Sequence, residues 1–497
     1  MPYHRHPACR RRRRPACTRA SVSPPPPPPR PRLTGALLVA GAGGASAAPS
    51  GLQGDFNGDG YRDLVIAAPI GKISGREGAG YVTVVYGTKS GLDKSKHKVI
   101  SQATTGIPGT PESSDYFGDR LTTGDLDGDG YTDLVVGVHS DRIGSTDSYG
   151  VLTVIWGGAT GLTTGTDIAS PLPQYRNELG WALAAGDFDG DGHTDLAAGN
   201  NSTPSLNIFK GPISRTGKAA ALVGIDTTAA TGIYPDKLVA GNVNGDGAAD
   251  LLVMGQQESG NVYATRSVLY KGSATGLKAS SKLAGGYAAA IADVDKDGYG
   301  DIVTGNFMEK SAEEPNGGPG GAVTVTYGSA SGLSTRTPVR ITQDTASVPG
   351  TAEKNDRFGW SVSAGDTNGD GYADVAVGAS GEALGSKQSA GSVTVLRGSA
   401  KGLTGTGSKS FSQDTAGVPG AAEARDEFGG SVWVTDSNND GRAELVAGAA
   451  AENNGVGSVW LFKTGTSGIT ATGSTAFGPG SVGGPAGISY FGDVFAN

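Results

Sequence analysis

Short aliphatic runs recur along this chain, each directly after a polar loop rich in Asp and Gly. They begin at Leu64, Leu134, Leu196, Leu251, Ile302, Val375 and Leu445, and several end in Gly-Ala or Ala-Pro. Such runs are too short and too evenly apolar for an amphipathic helix, and they read as buried strands. A further β-rich run follows each one and ends in Gly-x-x-x-Gly-Leu. That signature stands at Tyr86–Leu92, Trp156–Leu162, Lys271–Leu277, Tyr327–Leu333 and Arg397–Leu403, with weaker forms at Lys210–Gly217 and Lys463–Ile469. Each repeat therefore predicts a strand into the polar loop, a strand out, a third strand, a glycine turn and a fourth strand. Four short antiparallel strands per repeat make a propeller blade.

The polar loops carry the candidate chemistry. In Asp125-Leu-Asp-Gly-Asp-Gly-Tyr-Thr-Asp133, oxygen side chains fall at positions one, three, five and nine, with glycine at six. A hard cation such as Ca²⁺ takes about six to eight oxygens, which a tight loop of alternate carboxylates supplies. Asp125, Asp127, Asp129 and Asp133 are the side-chain ligands expected here, with the Tyr131 carbonyl at position seven. The other six copies are Asp55/Asn57/Asp59/Tyr61/Asp63, Asp187/Asp189/Asp191/His193/Asp195, Asn242/Asn244/Asp246/Ala248/Asp250, Asp293/Asp295/Asp297/Tyr299/Asp301, Asp366/Asn368/Asp370/Tyr372/Asp374 and Asp436/Asn438/Asp440/Arg442/Glu444. One copy alone is a weak signal, since Asx-turns look similar; seven in register are strong. An EF-hand is excluded because position twelve is Ile66 or Val136 where a bidentate Glu is needed. Up to seven Ca²⁺ ions are expected. Loops two, three and five, with four carboxylates each, should bind best, and loop four, with Asn242 and Asn244, worst.

Phe117-Gly118, Phe358-Gly359 and Phe428-Gly429 precede their loops by eight residues, with Leu179-Gly180 as a variant. Phe-Gly, the Asp-rich loop and the Gly-Ala-Pro-like strand together resemble the FG-GAP repeats of integrin α-subunit N-terminal propellers, over essentially all of residues 51–497. Blades four and five lack the Phe-Gly, which leaves the packing of their inner strands open. The resemblance implies a ligand face opposite the metal loops.

The two ends of the chain fit one ring. The first loop, at Asp55, has no strand before it, and Phe491-Gly492 near the C-terminus has no loop after it. Aligning Phe491 with Phe117 places Asn497 opposite Thr123, so that Gly54-Asp55 continue the motif. The expected fold is all-β: a seven-bladed propeller over 48–497, closed by the C-terminal strand in the first blade. Closure leaves no open sheet edge.

Composition changes the picture at the N-terminus. Residues 1–47 hold nine Arg, no Asp or Glu, both cysteines and six consecutive prolines. A basic region, a short apolar region from Leu33 and Ala45-Ser-Ala47 read as a secretory signal, the alternative being a disordered basic tail. The apolar run is too short to span a bilayer. Beyond it, 31 basic residues face 48 acidic ones. Of those acids, 23 sit at the ligand positions, so bound ions account for much of the charge, which argues against nucleic acid as a partner. No cysteine remains, so stability must come from core burial and metal.

On these grounds the chain reads as a secreted, monomeric binding or adhesion module for an extracellular protein or carbohydrate. The metal loops join strands one and two and the glycine turns join strands three and four, so both lie on one face, and the variable material at 71–80, 140–150, 256–266, 307–320 and 381–391 shares the other. Candidate contacts there are Glu309, Lys310, Glu313, Glu314 and His139. The paired acids Glu112/Asp115, Glu353/Asp356 and Glu423/Asp426 read as structural ties, since they repeat in three blades. The alternative function is an extracellular hydrolase or lyase with its site in the central depression, using an acid such as Glu309 or Asp147.

Overall fold

The computed structural model describes residues 50–140, 150–168, 178–200, 203–230, 232–259, 262–311 and 314–496. The segment read as an export signal lies outside them. Seven four-stranded antiparallel sheets stand around an axis, with a two-stranded ribbon at Gly328–Ser329 and Gly332–Leu333. Blade two shows the plan. Arg120–Gly124 lies innermost, followed by Asp133–Val138, Val151–Trp156 and Thr164–Ile168. The second and third strands are buried along their whole length, because a neighbouring blade covers each face. That is why they read as continuous apolar runs.

Blade one is built from both ends of the chain. Phe495–Ala496 pairs with Leu64–Ala68, Phe495 opposite Ile66 and Ala496 opposite Val65. In blade two the equivalent positions pair as Leu121 with Val136 and Thr122 with Val135. The registers coincide, as the Phe491-to-Phe117 alignment requires.

The core lies between blades. One apolar cluster joins Phe56, Val65 and Val82 of blade one to Phe117, Leu134 and Val136 of blade two. Phe117, Phe358, Phe428 and Phe491 have no exposed surface; full burial of such a side chain stabilises by roughly 1.5–3 kcal/mol. Gly118 follows with φ +100°, and a Cβ there would fall 2.8 Å from Val82 Cγ1. The Phe-Gly pair is thus a plug beside a point of close approach.

Blades four and five solve the same problem differently. In blade four the inner strand Ile233–Gly241 shifts register between Pro235 and Lys237, Ile233 is buried, and Pro235 packs on Gly199. In blade five the buried Met254 of blade four lies against Gly286. The stretch 256–266, read as a loop, is instead the tip of a long hairpin between Asp250–Ser259 and Val262–Lys271. Pairing continues there because Val262, Tyr263 and Thr265 favour extended backbone. Among the described residues no helix is long and apolar enough to cross a membrane.

Candidate metal centres and the opposite face

The Asp-rich loops are preorganised by their own backbone. Asp125 Oδ1 accepts the N–H groups of Gly128 and Asp129 at 2.9 and 3.1 Å, and Oδ2 that of Gly130 at 2.9 Å. Gly130 takes φ +88°, which side-chain-bearing residues avoid. Asp55, Asp187, Asp293, Asp366 and Asp436 hold Gly60, Gly192, Gly298, Gly371 and Gly441 in the same way. The position-nine acid ties the loop to the glycine turn. Asp63 accepts from Phe56 at 2.9 Å and Gly87 at 2.8 Å, and Asp301 from Val294 at 3.0 Å and Gly328 at 2.9 Å. Asp133, Asp195, Asp250 and Asp374 repeat the pattern with Gly157, Gly211, Gly272 and Gly398. The two signatures legible in the sequence are therefore one device. Loops also chain to neighbours: the amides of Thr132, Ala249, Gly300, Ala373 and Ala443 donate to the position-one carbonyls Asp55, Asp187, Asn242, Asp293 and Asp366 of the preceding blades.

The donor set suits Ca²⁺. Carboxylate oxygens of Asp125, Asp127 and Asp133 lie within 4.8 Å of one another, as do those of Asp187, Asp189 and Asp195 and of Asp293, Asp295 and Asp297. One oxygen each of Asp189 and Asp295 is buried without a hydrogen-bond partner. Oxygen-only donors at this spacing fit a hard divalent ion. Burial, helped by neighbouring acids, pushes Asp63 and Asp133 up to about 8, and Asp195 and Asp301 to about 6. A bound cation would favour their ionised forms. Glu444 lies at about 7, raised first by burial, and accepts from the Ser437 amide and hydroxyl.

The trios form in loops two, three and five, and the other expected ligands are engaged differently. In loops one, four, six and seven position three is an amide. Asn57, Asn244, Asn368 and Asn438 donate to the position-five acids Asp59, Asp246, Asp370 and Asp440 at 3.1, 2.8, 2.8 and 3.3 Å. An NH₂ group thus meets the acid where a third carboxylate would stand, and among the described residues no trio of acids converges in those loops. In loop three Asp191 turns to the His193 amide at 2.9 Å and stays outside the trio.

At position seven the backbone N–H is the engaged group, and the carbonyl expected to serve the ion is a separate atom of the same residue. The amides of Tyr61, Tyr131, His193, Ala248, Tyr299, Tyr372 and Arg442 donate to the position-five carboxylates at 2.9–3.2 Å, each closing an Asx-turn. The side chains at this position pack instead of pointing at the acids. Tyr131, His193, Ala248, Tyr299 and Arg442 face Gly58, Gly128, Gly190, Gly245 and Gly369, which hold position four of the preceding loop. In loop five that position is Lys296, whose Nζ lies 5.4 Å from the Tyr372 ring. The His193 imidazole and the Arg442 guanidinium therefore belong to the seam between loops, and Arg442 Nε donates to the Asn368 carbonyl at 3.3 Å.

Several loops already meet a protein cation. Arg215 reaches Asp127 at 2.5 Å and Asp129 at 2.6 Å, and Arg336 reaches Asp295 at 2.8 Å. Lys210 bonds Asp189, Lys271 stands 3.6 Å from Asp246, and Arg397 bonds Asp374 at 2.6 Å. The loop spacing does not disclose these partners, since each lies far along the chain.

On the opposite face, one side chain or more from every blade contributes to a ring at the axis. The Arg120 guanidinium lies 4.8 Å from the Trp181 ring and donates to the Trp181 carbonyl at 2.7 Å. The Trp181 indole donates to Asp236, which Arg120 also attracts. Tyr287, Phe307 and Trp360 form an aromatic row with centroids 4.6 and 4.4 Å apart. Arg357 covers Trp360 at 5.1 Å and reaches Glu427 at 3.3 Å. Asp493 interacts with Glu427, Asp119 and Arg120, which closes the ring. Most of these side chains stand just after a Phe-Gly or at its equivalent, and that offset was the signal available in the sequence. Lys237 and Asp493 are exposed to solvent, with other protein groups close around them. Enclosure lowers Lys237 and raises Asp493 to about 6.

The candidate contact residues divide. Lys310 is exposed. Glu309 is half-buried and accepts the Gly320 and Asn355 amides at 3.2 and 3.4 Å, which anchors the 307–320 loop. Glu314 is not on the surface. It is 3% exposed and accepts from Thr265 and Tyr287 at 2.7 Å and Asn306 at 3.1 Å. His139 is also buried, stacked on Trp181 at 4.7 Å, with Nε2 3.6 Å from Asp119. Burial lowers it to about 4, so it is neutral at physiological pH. Glu313 and Asp147 lie outside the described residues. The paired acids are ties: Asp115, Asp356 and Asp426 accept the amides of Glu112, Glu353 and Glu423 at 2.6 Å.

Comparison with known proteins agrees with this architecture. Residues 47–85, 285–326 and 358–396 match the FG-GAP repeat, and 125–198 and 207–304 the FG-GAP-like repeat, together more than half of the chain. Phosphatidylinositol-glycan-specific phospholipase D of Rattus norvegicus is 33% identical over 168 residues, 32% of this chain and 19% of that protein. Integrin alpha-PS2 of Drosophila melanogaster is 31% identical over 169 residues, 31% of this chain and 11% of that protein. The chain thus spans under a fifth of the length of these relatives. Among solved structures, the exotype rhamnogalacturonan lyase YesX is 15% identical with a TM-score of 0.44, covering 84% of this chain and 72% of that one. By repeat, blade plan and matched residues alike, the chain belongs to the FG-GAP repeat family, as an integrin alpha-like propeller.

Proposed function

We propose that this chain is an exported, Ca²⁺-stabilised binding module that takes its ligand on the face opposite the metal loops. The observation that carries the reading is the axial ring of Trp181, Tyr287, Trp360, Asp119, Asp236 and Asp493. Half-buried aromatic rings beside carboxylates and guanidinium groups offer apolar contact and hydrogen bonding in one place. That mixture suits a carbohydrate or a polar protein loop. The exposed Lys310, on the loop that Glu309 anchors, extends the same rim.

A second reading is a hydrolase or lyase acting in the axial depression. Lys237 and Asp493 favour it, since the protein around them holds both away from their ordinary titration. Glu309 is a weaker candidate, because its carboxylate already holds the backbone of its loop.

One experiment separates the two. The protein is screened on glycan and matrix-protein arrays beside a broad hydrolase and lyase panel, with and without Ca²⁺. Binding that weakens at least tenfold in Trp360→Ala, without turnover, supports the binding module. Turnover lost in Asp493→Asn or Lys237→Met transfers the function to the enzyme reading. Binding indifferent to Trp360 removes the axial ring as the contact.

A further inference from the structure

We propose that the guanidinium of Arg397 replaces the metal ion in loop six, so that this blade's rim is closed by the chain's own cation and takes no Ca²⁺. The inference rests on the calcium reading of the other loops.

Lone pairs decide it. A carboxylate offers about four acceptor sites. Asp374 Oδ2 accepts from Arg397 Nη1 at 2.6 Å, from the Thr367 hydroxyl, and from the Thr367 amide at 3.3 Å. Its Oδ1 accepts the Gly398 amide at 3.0 Å. Three donors saturate Oδ2, the oxygen turned toward the loop, and leave it nothing for an ion. In loop five the equivalent Asp301 takes only the Val294 and Gly328 amides, and each oxygen keeps a site.

Arg397 is also seated. Its Nη1 donates to Thr367 Oγ1 at 2.9 Å and its Nη2 to the Ser467 carbonyl of blade seven at 2.6 Å. Its side chain is 14% exposed and that of Asp374 0%. Arg215 and Arg336 differ on both counts. Their side chains are 46% and 39% exposed, and they touch acids at positions three and five. Both also hold a carbonyl, Gly157 for Arg215 and Lys401 for Arg336, but exposed ion pairs like theirs are screened and contribute little against an entering divalent ion.

Two residues change together to make this possible. Position two of loops one to five is apolar, namely Phe56, Leu126, Phe188, Val243 and Val294, whereas loop six has Thr367, whose hydroxyl bridges Arg397 and Asp374. The place of Arg397 is held by Tyr86 in blade one and Tyr327 in blade five. Each of the three side chains ends against the second glycine of the next blade's turn: Tyr86 at Gly161, Tyr327 at Gly402, Arg397 at Gly468. Arg397→Tyr therefore fits the space and frees the carboxylate.

The test is the Ca²⁺ content per chain, read by native mass spectrometry and atomic emission after equilibration with Ca²⁺. Asp293→Asn in loop five should lose one ion, Asp366→Asn in loop six none, and Arg397→Tyr should gain one. An ion lost from Asp366→Asn overturns the inference while leaving the calcium reading intact. A folded Arg397→Tyr that gains none also overturns it. A wild-type chain holding no Ca²⁺ defeats the calcium reading, and the inference with it. If Arg397→Tyr fails to fold, the paired Asp293→Asn and Asp366→Asn measurements still decide.

Discussion

One carboxylate oxygen of Asp133 accepts the amide hydrogen of Gly157 at 2.8 Å, binding the strand that leaves the metal loop to the turn after the third strand. A Cβ on Gly157 would fall 2.3 Å from the Thr132 carbonyl oxygen. Gly157→Ala should therefore push turn and loop apart, costing about 1–3 kcal/mol as overpacking does. Urea denaturation checks it. Asp133→Asn should cost a similar amount, because one of the two amides it serves would then face an N–H. Full stability in either variant would remove this tie from the account.

The closing strand makes a second prediction. Phe491 has no exposed surface and packs with Ile66 and Phe495 between blades seven and one. Phe491→Ala should destabilise by about 3–5 kcal/mol. Deleting residues 490–497 should also open the ring, seen as increased susceptibility to proteolysis in strand Leu64–Ala68.

Calcium should stabilise the fold. Each ion that binds only the folded chain adds about 2.7 kcal/mol when present at a hundredfold its Kd. Extracellular modules often bind at ~10⁻⁴ to 10⁻³ M. The melting temperature should therefore rise with millimolar Ca²⁺ and fall with chelator. A melting temperature unmoved by either would exclude a structural role for the ion.

The crossings between blades five to seven predict a pH dependence. Burial raises Glu382 and Glu452 to about 7, opposed by hydrogen bonds from Gln343 and Gln413 and reinforced by Asp356, Glu353, Asp426 and Glu423. Unfolded, these carboxyls titrate near their ordinary value of 4.5. Between those values the folded chain holds protons that the unfolded chain has released. Stability from these groups is therefore full below the lower value and is lost as pH rises through the higher one. Denaturation at saturating Ca²⁺ should show stability falling between about pH 5 and pH 7 in the wild type. The fall should be shallower in Glu382→Gln and Glu452→Gln.

Much of this protein was legible in one dimension because its information is local and repeated. Seven acidic loops, the aliphatic runs after them and Phe491-Gly492 without a loop were enough for the blade number, the strand order and the register of Phe495 on Ile66. A strand's period and a turn's glycine are properties of adjacent residues, so they survive without coordinates. Exposure is not such a property. Glu314 and His139 sit in stretches that look like surface, yet Thr265, Tyr287, Asn306 and Trp181, distant along the chain, turn them inward. The partner of an acid is equally nonlocal. Asp374 and Asp301 occupy the same position in the same motif, and blade six brings Arg397 onto the first where blade five has Tyr327, with the Ser467 carbonyl of blade seven holding that arginine in place. Neighbouring blades meet through side chains whose spacing follows no period, so the sequence by itself determined the ring, and tertiary contact decided which of its acids remain open to an ion.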